Sequence, residues 1–138
     1  MGRDQLVPRL RNHPQVECLE GINARELPLH QLHAQVPEGF AGVVMDVSFI
    51  SQTLIHPELA RLIPAGCPLL SLVKPQFEAG PGYLGKGGLI NNPEAYPLVR
   101  EKIIASLTHC GFRLHDYFAS AINGGDGNQE FFVAAFRE

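Results

Sequence analysis

The chain of 138 residues has no tryptophan, two methionines and three cysteines. Cys18, Cys67 and Cys110 are odd in number, far apart and without a CxxC pair. That pattern sets aside a disulfide framework and a cysteine-based metal site, and it fits buried thiols in a reducing compartment. No stretch approaches the ~18 consecutive apolar residues that a spanning helix needs. The opening MGRDQLVPRLRNHP is too polar for a signal peptide. The chain is therefore expected to be cytoplasmic, without a membrane partner. Strong charge of one sign is also missing: 11 Lys and Arg stand against 14 Asp and Glu, a formal −3. Such a balance gives no general attraction to nucleic acid, so binding of that kind would need a local patch. Internal repeats, low-complexity runs and a dividing linker are absent too.

What is present is enough apolar material for one domain, with 45% hydrophobic and 18% charged residues. Two apolar stretches dominate it. One runs Gly42-Val43-Val44-Met45-Asp46-Val47-Ser48-Phe49-Ile50-Ser51, and the other Pro68-Leu69-Leu70-Ser71-Leu72-Val73-Lys74-Pro75-Gln76-Phe77-Glu78. Short, nearly unbroken apolar runs suit buried strands of a parallel sheet. Ligands of open α/β sheets bind outside the carboxyl ends of such strands. A carboxylate at one end and an ammonium at the next put opposite charges where a site is expected.

Residues 5–11 predict at best a short helix, interrupted by Pro8, and residues 16–20 a short strand ending at Gly21. His30 and His33 are three apart but have no further ligand type beside them, so a metal role is set aside. A strand is predicted over 40–47 and a helix over 48–63, in which Pro57 must start, kink or break the helix. A second strand runs from 68 to 74. The segment 80–88 holds five glycines and nearly matches a P-loop, but Gly87 stands where a magnesium-binding hydroxyl is needed. It reads as a mobile loop carrying Lys86. Asn92 and Pro93 mark a helix start, Val99, Ile103, Ile104 and Leu107 its apolar stripe, and Gly111 its end. Strands over 112–121 and 129–136, joined by the Gly124–Asn128 turn, form an antiparallel pair. Alternation of this sort means an α/β sheet with helices on both faces.

Asp46, Lys74 and Glu130 interrupt apolar runs at strand ends. A lysine between two carboxylates suits activation of an alcohol, because its positive charge stabilises a developing alkoxide while the carboxylates hold lysine and substrate. No Ser-His-Asp spacing or reactive-cysteine context competes with that arrangement.

The segments VVMDVSFIS (43–51), LVKPQFEAG (72–80), GKGG (85–88) and GNQEF (127–131) resemble the TlyA family, hemolysin-named ribosomal RNA methyltransferases related to the FtsJ (RrmJ) ribose methyltransferases. The resemblance covers essentially the whole chain. It implies a Rossmann-like fold with an antiparallel last strand, S-adenosylmethionine as donor, and a ribose 2′-hydroxyl of ribosomal RNA, within a ribosomal subunit, as acceptor. It further implies a Lys-Asp-Lys-Glu tetrad, of which Asp46, Lys74 and Glu130 supply the last three members. In that scheme Lys74 lowers the pKa of the 2′-hydroxyl, and Asp46 and Glu130 orient it. Asn23, Ala24, Asp46 and Val47 are the implied cofactor contacts, and Ser48, Phe49 and Lys86 the implied substrate contacts.

The departures from the family all fall at the N-terminus. The first tetrad lysine would precede Met1, and the Gly-rich cofactor loop and the RNA-binding S4 domain have no counterpart here. Gly2 to Leu6 resemble family sequence just after the second strand, so residues 1–138 are expected to be one partial, N-terminally truncated FtsJ-like methyltransferase domain lacking its first strands. The strand carrying Asp46 would then have an unpaired edge, leading to destabilisation or to a homo-oligomer through that edge, with feeble donor binding. The alternative is a non-catalytic remnant or partner-binding fragment. A membrane-lytic role has neither a spanning segment nor a strongly basic amphipathic helix behind it.

Overall fold

Strands β1 (Val43–Met45), β2 (Pro68–Val73), β3 (Phe112–Ala119) and β4 (Phe131–Arg137) form one sheet in the order β1-β2-β4-β3. The computed structural model describes residues 2–138. β1 and β2 run parallel, Val43 opposite Leu69 and Met45 opposite Ser71. β4 is antiparallel to both neighbours, as its short connection to β3 predicts. The chain thus inserts its last strand beside β2 and leaves β3 at the far edge.

Helices α1 (Pro8–Arg11), α2 (Leu29–Gln35), α3 (His56–Leu62) and α4 (Ala95–His109) complete the fold. Pro57 lies in the first turn of α3, where no intrahelical partner for its missing amide is required, so it starts the helix and does not kink it. The preceding residues form a separate 3₁₀ turn, Gln52–Leu54, so the helix predicted over 48–63 begins at His56. The Asn92 carboxamide oxygen accepts from the Glu94 amide at 3.0 Å, leading the chain into α4. Gly111 has φ +86° just beyond the helix, the left-handed conformation that ends helices most cheaply in glycine.

Val99, Ile103 and Leu107 of α4 and Ile55, Leu59 and Ile63 around α3 pack on Leu69, Val73, Val133 and Ala135 to make the core. These sheet residues share one face, since side chains alternate along a strand. The other face has no helix upon it among the described residues. It presents row on row of apolar side chains: Val44, Leu70 and Ala134; then Leu72, Phe132 and Phe118. Val44 is 82% exposed, Leu70 39% and Phe118 43%. The expectation of helices on both faces is thereby corrected. Alternation of strands and helices does fix an α/β sheet, but α3 and α4 cross on the same side of it.

Residues 16–20 are corrected as well. They belong to no ladder, because a segment becomes a strand only where a neighbour takes its backbone groups. Glu20 instead accepts from Arg11 at 3.0 Å and from the Asp4 amide at 2.7 Å. β1, at three residues, is the sheet's edge on that side.

The two faces should respond differently to truncation. Ile103→Ala, in the core, is expected to lower unfolding free energy by about 2–5 kcal/mol, and Val44→Ala, on the uncovered face, by less than about 0.5 kcal/mol. Urea unfolding followed by circular dichroism measures both. Equal losses would mean that the uncovered face is packed in solution.

Candidate active site at the carboxyl ends of the parallel strands

Asp46 leaves β1 and Lys74 leaves β2 at adjacent carboxyl ends of the parallel pair. The Lys74 ammonium stands 2.7 Å from Asp46 Oδ1 and donates to Ser48 Oγ at 2.9 Å. A pair of this kind, with the Asp46 side chain 64% exposed, adds little to stability. Its effect is geometric: two of the ammonium's three protons are directed at fixed partners, and the third remains for another acceptor.

The segments that follow these strands are stitched together along their length. Phe77 packs on Phe49 with ring centroids 5.0 Å apart. Glu78, buried, accepts from Ser51 Oγ at 2.5 Å and from the Gln52 amide at 2.8 Å, and pairs with Lys102 at 3.2 Å. A buried carboxylate is tolerated because donors meet both its oxygens. Gln52 extends the tie inward, donating to the Leu72 carbonyl at 3.0 Å and meeting His56 Nε2 at 3.0 Å through Oε1. His56 Nδ1 in turn lies 2.7 Å from Ser106 Oγ of α4. The sequence reading passed over Glu78, Gln52 and His56. An acidic residue closing a segment as apolar as 68–78 was the available signal.

Phe49 has φ +64° and is 89% exposed. A left-handed non-glycine residue costs about 1–3 kcal/mol and persists only where its surroundings impose it. Here the Phe77 contact and the Ser51–Glu78 bond constrain the turn, and the ring is offered to solvent beside Lys74.

A cleft of about 880 Å³ opens next to this pair, with Asn23 and Ala24 on one wall and Asp46, Val47, Ser48 and Phe49 on the other. All four expected cofactor contacts and two of the three expected substrate contacts therefore border one space. Its size suits a cofactor-sized ligand. Asn23 uses its carboxamide oxygen on the Arg25 amide at 3.0 Å, leaving its NH₂ group for a ligand. These residues fit S-adenosylmethionine in size and polarity.

Glu130 and Lys86 are placed differently. The β2–β4 register, Val73 opposite Phe131, sets Lys74 opposite Glu130 one step beyond the ladder. Glu130 is 8% exposed and forms no ion pair among the described residues. Its carboxylate packs so closely on Gly124 that a Cβ there would collide with it. Lys86 is exposed on the glycine-rich segment and pairs with neither Asp46 nor Glu130. His33 of the early histidine pair bonds the Leu62 carbonyl through Nε2 at 3.1 Å.

The Rossmann-like sheet, with its cleft at the carboxyl ends of the parallel strands, has the fold of solved S-adenosylmethionine-dependent methyltransferases. A solved structure of that class from Methanosarcina mazei shares the fold at TM-score 0.56 and 20% identity, covering 84% of this chain and 65% of that one. Within the class, residues 1–137 match the FtsJ-like methyltransferase model, and the chain belongs to that family. It is 38% identical to YqxC of Bacillus subtilis over 96% of this chain and 46% of that protein. To the 16S/23S rRNA (cytidine-2′-O)-methyltransferase TlyA of Mycobacterium tuberculosis it is 34% identical, over 96% of this chain and 48% of TlyA. A solved hemolysin-named protein of Streptococcus thermophilus superposes at TM-score 0.88 with 35% identity, over 99% of this chain and 48% of that one. The chain thus spans about half the length of the curated relatives it matches. No helix among the described residues is long and apolar enough to cross a membrane.

The buried tie has a measurable titration. Burial holds His56 neutral and pushes its pKa down to about 4 from the ordinary 6.5. Between these values the unfolded chain binds a proton that the folded chain does not, so stability falls as pH drops through that window and is level above it. The expected loss by pH 4.5 is on the order of 2–3 kcal/mol. Asp126, whose pKa is lowered chiefly by the Asn128 amide, loses its contribution only below its ordinary 3.8. Urea unfolding at pH 7.5, 5.5 and 4.5 should show the slope in wild type and a flattened one in His56→Gln. Parallel slopes would place the titrating group elsewhere.

Proposed function

We propose that the chain serves S-adenosylmethionine-dependent 2′-O-methylation of ribose in ribosomal RNA, with Lys74, Asp46 and Glu130 as its reactive set. The observation that carries this reading is the 2.7 Å pair of Lys74 with Asp46, closed by Ser48, on the rim of the cleft. Family membership supports methyl transfer, and the named activity of the TlyA relative supports the ribose hydroxyl as acceptor.

Bound in the cleft, the donor supplies an electrophilic methyl group on a sulfonium, which needs in-line placement more than activation. Asn23, Ala24 and Val47 would hold it, with the Asp46 carboxylate bordering the same cleft. Lys74 turns its third ammonium proton to the ribose O2′, favouring the alkoxide character that nucleophilic attack requires. Asp46 and Ser48 keep the ammonium from swinging away. Glu130, one step beyond the ladder from Lys74, adds a carboxylate on the same sheet face. Phe49 offers its ring to the target nucleotide's base, since stacking on an exposed aromatic is how unpaired bases are held. Lys86 meets the RNA backbone. Ribosomal RNA as substrate places this work in the cytoplasm.

The test is methyl incorporation into ribosomal subunits at millimolar donor, a concentration chosen because the cleft lies open along the β1 edge. Lys74→Ala is expected to lower the rate ~10²–10³-fold, as loss of a charge-stabilising donor does. Lys74→Arg should not restore it, since a planar guanidinium cannot reproduce the three-way contact. Undiminished transfer in Lys74→Ala would remove Lys74 from the mechanism.

A second reading, from the binding class, rests on the sheet itself. We read the β1 edge with its apolar face as the surface that pairs with a second copy. The open backbone edge of β1 and the exposed side chains of Val44 and Leu70 favour such pairing. Sedimentation velocity should then show a concentration-dependent dimer that Val44→Lys abolishes. A monomer at all concentrations, with a sharp melting transition, would overturn the self-pairing.

A further inference from the structure

The glycine-rich segment carrying Lys86 is a small hairpin with fixed roots. The Gly85 amide donates to the Leu89 carbonyl at 2.7 Å and the Asn91 amide to the Tyr83 carbonyl at 3.0 Å, while Leu84 bridges Ile90. Lys86–Gly88 form the 3₁₀ turn at its tip, with Gly87 and Gly88 at φ +74° and +77°, where larger residues would be strained.

One side chain from a distant part of the chain grips this hairpin. Asn128, 4% exposed, accepts from the Ile90 amide at 2.9 Å through Oδ1. Through Nδ2 it donates to the Gly88 carbonyl at 3.1 Å and to Asp126 Oδ2 at 2.9 Å. Asp126 Oδ2 also accepts from Gln76 Nε2 at 3.1 Å, and Asp126 Oδ1 accepts from the Asn128 amide at 2.9 Å. Gln76 stands two residues after Lys74, and Asn128 two residues before Glu130. The Gln76–Asp126–Asn128 hub therefore wires together the segments bearing Lys74, Glu130 and Lys86. A carboxamide carries the donor for Gly88 and the acceptor for Ile90 in one planar group. Any apolar replacement leaves both backbone groups without a partner.

We propose that Asn128 is a positioning residue that sets Lys86 at a fixed height above Lys74 and Glu130, so that Lys86 meets a backbone phosphate flanking the ribose whose hydroxyl faces Lys74. This rests on the methyltransferase reading for the identity of the ligand, and on the hydrogen bonds alone for the clamp. Asn128 touches neither ribose nor phosphate. It acts through the hairpin.

The experiment compares wild type, Asn128→Ala, Lys86→Ala and the double variant of the full chain. Hydrogen–deuterium exchange reads residues 84–91, and fluorescence anisotropy reads a labelled ribosomal RNA hairpin over a KCl series. Asn128→Ala should speed exchange in the hairpin at least ~10-fold, as expected when local protection is lost, with the cooperative unfolding transition retained. It should weaken RNA binding by the same several-fold factor as Lys86→Ala and lower the log–log salt slope by about one, the loss of one phosphate contact. The double variant should bind no more weakly than either single one, since two steps of one linkage do not add. Additive losses, or an Asn128→Ala variant with wild-type affinity and slope, would overturn the proposal. If wild type binds no RNA, the methyltransferase reading and the phosphate role fall together. The exchange data then judge the clamp: unchanged exchange in Asn128→Ala overturns it, and accelerated exchange upholds it. Should Asn128→Ala not fold, Asn128→Asp keeps the acceptor for Ile90, loses both donors, and should show the same accelerated exchange.

Discussion

The Glu78 carboxylate fixes the relation between the two parallel strand ends. It is taken out of water at the start of the turn into α3, where Ser51 and the Gln52 amide donate to it, and Lys102 of α4 balances its charge. Without that anchor, the path from Asp46 to Ile55 would be tied to β2 and its exit by the Lys74 contacts to Asp46 and Ser48, the Gln52–Leu72 bond and one aromatic contact. The Lys74–Asp46 pair is weak in itself, yet it sits in one place because a buried group a few residues on holds the backbone that carries it. The strained φ of Phe49 has the same origin: the turn is closed from both sides, and the ring has nowhere to go but outward.

A sheet with one covered face has a second consequence for the site. Asp46, Lys74 and Glu130 continue the rows that hold Val44, Leu70, Leu72 and Phe132. The proposed reactive groups therefore lie at the end of an apolar surface, not of a solvated one. What covers that surface also sets the dielectric around Lys74. A charged group bordered by apolar material acts more strongly on a neighbouring hydroxyl than one surrounded by water.

The parts legible in the sequence were those encoded locally. The apolar runs ending in Asp46 and Lys74 announce strands with charged exits, and Gly111 announces the end of α4. The charge interrupting residues 129–136 likewise announces Glu130. Hidden features depend on contacts between residues far apart. Gln76 meets Asp126, and His56 meets Ser106, across fifty positions. No periodicity reports that a carboxamide or imidazole will find its partner so far along. The absence of a strand over 16–20 has the same cause, since strand formation is a property of pairs. Helix sidedness failed for a related reason: the order of elements sets their alternation, while the crossing side depends on which strand each returns to. The family resemblance supplied the chemistry that the residues alone left open; Asn23, Ala24, Asp46 and Val47 border one cleft.

The short β1 strand bears on how the chain reaches this state. α4, β3 and β4 are consecutive in sequence, and the β3–β4 pairing is a hairpin, so their contacts close small loops. β1 and β2 pair at a separation of under thirty residues, whereas β2 pairs with β4 across more than fifty. Loop closure therefore favours the β1–β2 and β3–β4 units first and the β2–β4 seam between them last. During synthesis the segments carrying Asp46 and Lys74 leave the ribosome well before the one carrying Glu130. In that interval the nascent chain holds the two charged strand ends beside a seat that β4 has yet to fill.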